Sequence, residues 1–172
     1  MWRFANGAVP LLLGLLLGVA QPAPSQTAVE AAWELEGLER LVGGRWYLGD
    51  DSYHTFSWGV GGRSLKSESY FVTTGSETLV AEMTFFYHPG EQVVKGYGVA
   101  IDMGIDVFEY SIRFADDQII LDLQAFGPSA PDLTLQETWT FIDDDHYEWV
   151  LQGLDADGSW SRQMGGTYER RR

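Results

Sequence analysis

The chain is expected to fold as an all-β protein, an antiparallel up-and-down β-barrel of about ten strands with a short capping helix ahead of them. Three observations predict this. From Arg45 onward, runs rich in β-branched and aromatic residues recur, with Gly, Pro, Asp or Ser clusters between them. No helix-length apolar pattern interrupts that rhythm. Connections such as Gly61-Gly62, Pro89-Gly90 and Asp116-Asp117 are too short to join anything but antiparallel neighbours.

The N-terminal segment is read apart from the barrel. Met1-Trp2-Arg3 gives a positive start, residues 11–17 an apolar run, and Gly18-Val19-Ala20 a small-residue end. This is a secretory signal-peptide pattern over 1–20, with cleavage expected after Ala20 and a secreted or periplasmic product. The run falls short of the ~20 apolar residues a membrane helix needs, so no stable span is expected after cleavage. Residues 21–32 read as a linker and 33–172 as one barrel domain.

Within 33–42, Leu35, Leu38, Leu41 and Val42 recur at helical spacing until Gly43-Gly44 stops them, which predicts the amphipathic helix that covers one barrel end. Strands are then expected over 45–48, 54–60, 64–72, 78–88, 93–101, 106–115, 118–126, 134–142, 146–154 and 159–168. Alternation assigns faces. Leu79, Ala81, Met83, Phe85 and Tyr87 are expected inside, as are Phe108, Tyr110, Ile112 and Phe114, then Ile119, Leu121 and Leu123, then Leu135, Glu137, Trp139 and Phe141, then Tyr147, Trp149 and Leu151, then Trp160, Arg162 and Met164. In 93–101, Gly96, Gly98 and Ala100 share a face, a mark of close packing or of a bend.

Composition narrows the function. The 172 residues carry a net charge of −14, and losing Arg3 with the leader takes this to −15. Such a field repels nucleic acid and anionic lipid. Much of the acid lies in turns, where it serves solubility and turn chemistry. There is no Cys, which excludes disulfides, thiolate nucleophiles and Cys-ligated metals. No Ser lies in a G-x-S-x-G motif, and the three His (His54, His88, His146) lack metal-ligand spacing. Asp155-Ala156-Asp157-Gly158 opens like a calcium loop but lacks the later ligands, so it reads as a hairpin turn.

Two charges fall on apolar faces. Glu137 lies beside Trp139, and Arg162 beside Trp160, with one strand between them. A buried charge needs a partner, so the pair reads either as a structural ion pair or as a ligand-orienting one. Glu68 would add a second interior carboxylate if its face of 64–72 turned inward, and two carboxylates could do acid–base work. The seven Trp, eight Tyr and nine Phe supply core and, in a hollow barrel, ligand contact.

Leu41-Val42-Gly43-Gly44-Arg45-Trp46 resembles the L-x-G-x-W opening of lipocalin-like, calycin-type barrels. Phe86-Tyr87-His88-Pro89 through Gly96-Tyr97, with Glu137-Thr138-Trp139-Thr140-Phe141 and Gly166-Thr167-Tyr168-Glu169-Arg170, resembles the hairpin and closing strands of bacterial DUF1579-type proteins. The resemblance covers most of 41–170 and implies a barrel of about eight to ten strands with an interior pocket and no settled activity. Nitrobindin-like haem barrels are similar in shape and carry G-x-W-x-G-x-G. Here Tyr47-Leu48-Gly49-Asp50 follows Trp46, and the last strand has no His. No cofactor is therefore expected, and haem on His54 or His88 is the lesser alternative.

The function expected is an exported barrel that binds a small hydrophobic molecule, and no catalytic role is assigned. Its candidate ligand-binding residues are Trp58, Glu68, Tyr70, Phe85, Tyr97, Tyr110, Glu137, Trp139, Trp149 and Arg162. The competing readings are a hydrolase- or isomerase-type enzyme using Glu68, Glu137 or His88, and an interaction module with a filled barrel.

Overall fold

The computed structural model describes residues 34–101, 104–128 and 130–172, with backbone alone at 130–132. The leader pattern, the linker and Trp33 lie outside the described residues. One helical turn, α1 (Glu36–Glu39), precedes ten strands. These are β1 (Arg45–Tyr47), β2 (Ser52–Trp58), β3 (Ser64–Thr73), β4 (Ser76–His88) and β5 (Val93–Ala100), then β6 (Val107–Ala115), β7 (Gln118–Gly127), β8 (Ala130–Phe141), β9 (His146–Leu154) and β10 (Trp160–Arg171). Each strand pairs antiparallel with its sequence neighbour, and β1 pairs with both β2 and β10, closing the barrel.

The helix is shorter than its apolar spacing suggests. Leu35 at its N-cap makes no side-chain cap, and the turn tightens at once into i→i+3 bonds, Leu41 N to Leu38 O and Val42 N to Glu39 O at 3.0 Å each. Gly37 stands against Phe114, whose ring a Cβ would meet at 2.4 Å. The segment still closes the barrel end, because Leu35, Leu38 and Leu41 are buried in the core with Phe56, Leu65, Phe85, Ile119, Phe141 and Tyr147. That half of the barrel is solid.

Trp46 joins plug and wall. It is fully buried, its indole N–H donates to the Leu41 carbonyl at 2.8 Å, and its ring lies 5.0 Å from that of Tyr147. The Arg170 guanidinium covers it from β10 at 4.2 Å and also donates to the Arg40 carbonyl. β1 offers three residue pairs to β10 and two to β2, so side-chain packing rather than ladder length holds this seam.

Of three register shifts in the ladder, two reset the alternation at residues read as inward. Ser69 pairs with Ala81 but Tyr70 with Leu79, so Val80 is extra on β4. Ala81, Met83 and Phe85 keep the inward face expected of them, whereas Val80 turns in and Leu79 turns out. On β10, Arg162 pairs with Gln152 and Met164 with Leu151, so Gln163 is extra. Met164 and Tyr168 are inward, but Trp160 and Arg162 are not, contrary to the simple alternation. The glycine face of β5 is close packing. A Cβ on Gly96 would come within 2.5 Å of Phe85, and one on Gly98 within 2.7 Å of Met83.

Because Trp46 ties α1, β1 and β10 together, Trp46→Ala should destabilise the protein by about 3–5 kcal/mol, read as a lower denaturant midpoint in equilibrium unfolding.

Candidate functional site

At the end away from α1 the barrel is hollow. A chamber of about 250 Å³ lies inside it, with the exposed Phe71 and Met164 at its mouth and the buried Tyr110, Trp139 and Tyr168 deeper in. Its lining is dominantly apolar, with a few polar groups set among aromatic rings.

Glu137 is the central one. β8 presents Leu135, Glu137 and Trp139 to the interior, and register sets Glu137 opposite Leu121 on β7 and Leu151 on β9. Its Oε2 accepts the Trp139 indole N–H at 2.9 Å, and Trp149 lines the same chamber. Burial raises the Glu137 pKa, and the polar N–H groups of the Trp139 and Trp149 indoles hold that rise back. Tyr110, Tyr147 and Tyr168 are pushed up by burial, with the Glu137 charge adding to the shift in each.

His54 faces the same chamber from β2. Its Nε2 lies 3.2 Å from the Tyr168 hydroxyl and its ring 4.9 Å from the Tyr168 ring, while Nδ1 is buried without a hydrogen-bond partner. Burial lowers its pKa to about 4. Tyr168 stacks on Tyr147 at 4.8 Å, and Tyr147 on Trp139 at 5.7 Å, so His54 and Glu137 stand at two ends of one aromatic floor. The Tyr110 hydroxyl donates to the Met83 sulfur at 3.2 Å and fixes the wall between β4 and β6.

The structure brings together Tyr110, Glu137, Trp139 and Trp149 of the residues expected from sequence. Tyr70 borders the chamber but turns its ring to the outward face of β3, stacked 4.9 Å from that of Tyr53. Phe85 is interior but packs below the chamber, edge-on to Tyr110 at 5.8 Å. Trp58 sits at the α1 end of β2, outside the chamber lining. Tyr97 lies on the outer wall, stacked on Phe86. Glu68 is on the outward face of β3, where inward Leu65, Ser67 and Ser69 alternate with it, and accepts from the Tyr70 hydroxyl at 2.9 Å. Glu68 and Glu137 are therefore on opposite sides of the wall and form no carboxylate pair. Arg162, turned out by the β10 bulge, lies 3.8 Å from Glu148 on the surface, so the Glu137–Arg162 pair is not formed. His88 is outside too, on the β4–β5 turn beside Glu91. Among the described residues no group of three or more His, Cys, Asp or Glu is placed to hold a metal, and no helix is long and apolar enough to cross a membrane.

The site residues that sequence reasoning left out of the binding set are His54, Tyr168, Met83 and Met164. His54 was legible in one respect, since it shares a face with Phe56 and Trp58.

Compared with known proteins, the chain matches no protein-family model and no curated protein. The lipocalin-like, calycin-type resemblance thus rests on its short motifs. Among solved structures the chain is similar to the crystal structure of Rv2717c from M. tuberculosis, at 19% identity over 83% of this chain and 99% of that one, with a TM-score of 0.52. This likeness shows the barrel fold alone.

With only three His, ring titration by NMR is directly assignable. His54 should stay neutral down to about pH 5, since its pKa is near 4. His146, raised by its hydrogen bond to the Asp143 carboxylate, should gain its proton well before His54. An unfolded His takes up its proton near 6.5, before the buried one does. The unfolded state is thus favoured as pH falls from about 6.5 to about 4, by on the order of 3 kcal/mol in all. Glu137 acts oppositely. Its raised folded-state pKa means the folded chain takes that proton first, so the stability it removes at neutral pH returns as pH falls. A His54→Gln variant should lose the His54 part of the acid-side slope in denaturant unfolding and keep the Glu137 part.

Proposed function

We propose that this protein is a binding barrel that takes a small, mainly hydrophobic molecule into its chamber and needs no resident cofactor to do so. The observation that carries this reading is the division of one closed barrel into a plugged, solid half and a hollow half. Small barrels close over either packed side chains or one ligand, and here the interior at the open end is lined by Leu, Val, Ala, Met and aromatic side chains with few polar groups. Such a lining suits burial of an apolar body with one or two oriented polar contacts. Glu137 and His54 are the residues that orient it, and Trp139, Trp149, Tyr110 and Tyr168 form the surfaces against which it packs. Arg162 and Glu68, outside the wall, take no part.

The chamber holds the carboxylate and the imidazole as separate polar points on an aromatic floor. A neutral imidazole can donate from one nitrogen or accept at the other. Nδ1 of His54, without a protein partner, is the free position that a ligand hydroxyl or carbonyl would satisfy.

Native mass spectrometry of protein purified from its own source should show an adduct that is lost on denaturation. Ala81→Phe, which projects a ring into the chamber from β4, should weaken rebinding of that adduct by roughly tenfold or more while far-UV circular dichroism stays unchanged. A bare chain that takes up nothing from an apolar small-molecule mixture would overturn the reading.

A further inference from the structure

Among the described residues, the interior carboxylate has no positive partner around the chamber. Among the described residues, no Lys or Arg lines it. The basic residues on the strands nearest Glu137 are committed elsewhere. Arg113 pairs with Asp122 across the outer face at 3.1 Å, Lys95 with Glu91 at 2.6 Å, and Arg162 lies 3.8 Å from Glu148. Arg40 and Arg170 are at the plugged end, over Phe141 and Trp46. The titratable groups that do face the chamber are Tyr110 from β6, Tyr168 from β10 and His54 from β2, with Tyr147 of β9 behind them. None of these is a cation at neutral pH.

An interior carboxylate that accepts the Trp139 indole N–H keeps acceptor capacity, since an ionised carboxylate offers about four lone-pair sites. The rings that surround it present π faces, which attract positive charge, Trp most strongly. An anionic ligand would bring a second negative charge beside Glu137 and is disfavoured. A neutral ligand would leave the buried charge unmatched.

The geometry points to a cationic ligand: the chamber selects a compact apolar molecule carrying an ammonium group, which Glu137 pairs with among Trp139, Trp149, Tyr110 and Tyr168. This rests on the ligand-binding reading above and gives that ligand its chemical class. The net charge of −14 works in the same direction, concentrating cations near the barrel mouth.

Three benzyl compounds test it against the full chain: benzyltrimethylammonium, its uncharged carbon isostere neopentylbenzene, and the smaller anion phenylacetate, each followed by quenching of tryptophan emission. The cation should bind roughly tenfold or more tighter than the isostere and phenylacetate weakest. Glu137→Gln should abolish the preference for the cation and leave neopentylbenzene binding in place. In the wild-type protein the cation's affinity should fall as the pH is lowered and the Glu137 carboxylate, whose pKa burial raises, takes up a proton, while that of neopentylbenzene stays level. This pH arm needs no variant and stands if Glu137→Gln fails to fold. Equal binding of cation and isostere, or a cation affinity indifferent to pH, overturns the cationic assignment and leaves the binding barrel standing. Failure of all three probes to bind overturns both.

Discussion

Everything in this fold depends on closing a sheet with a three-residue strand. β1 is too short to hold β2 and β10 by ladder hydrogen bonds alone, and the seam is secured by one buried indole. Trp46 bonds the plug through the Leu41 carbonyl, packs on Tyr147 inside and is covered by Arg170 from the neighbouring strand. Desolvation of that ring, rather than backbone pairing, is the larger favourable term at the seam. Closing the sheet removes its free edges and creates an interior that must be either filled or occupied.

The interior is filled at one end by α1 and its leucines, and at the other it is left hollow with an acid inside. These two ends differ in energetic character. The plugged end is close-packed and apolar, the arrangement that contributes most to stability. The open end carries a buried carboxylate and a neutral imidazole with an unpaired nitrogen, both of which oppose folding. Groups that a stable core would exclude have been retained where the barrel is empty, a pattern found at functional sites more than at structural ones.

The sequence displays the barrel well and the chamber only in part. Strand positions were legible because turn clusters punctuate them, and the inward face of β8 was legible because Leu135, Glu137, Trp139 and Phe141 alternate without interruption. The chamber residues on β6, β8 and β9 follow from that alternation. What failed was phase. A bulge adds one residue without any compositional mark, so Val80 and Gln163 each reverse the faces beyond them. Arg162, inside by counting, is outside by geometry. Glu68 was ambiguous because polar residues occupy both faces of β3, where inward Ser67 and Ser69 look no more buried than Lys66. His54 went unselected as a binding residue because one His among Thr and Ser gives little amphipathic signal. Its partner Tyr168 comes from the far end of the chain, which no local pattern connects to it.

That separation shapes how the molecule is made. Arg170 reaches back to the Arg40 carbonyl across 130 residues of chain, and β1 finds its second partner only in the last strand. Until β10 is available, β1 through β9 can exist only as an open sheet with two unpaired edges and an uncovered apolar face. Local hairpins form early, but closure waits on the most sequence-distant pairing in the chain, the kind that slows folding most. A chain without β10 is therefore a sticky, unsealed sheet, and pairing of that one strand with β1 leaves a barrel with no edge to offer a neighbour.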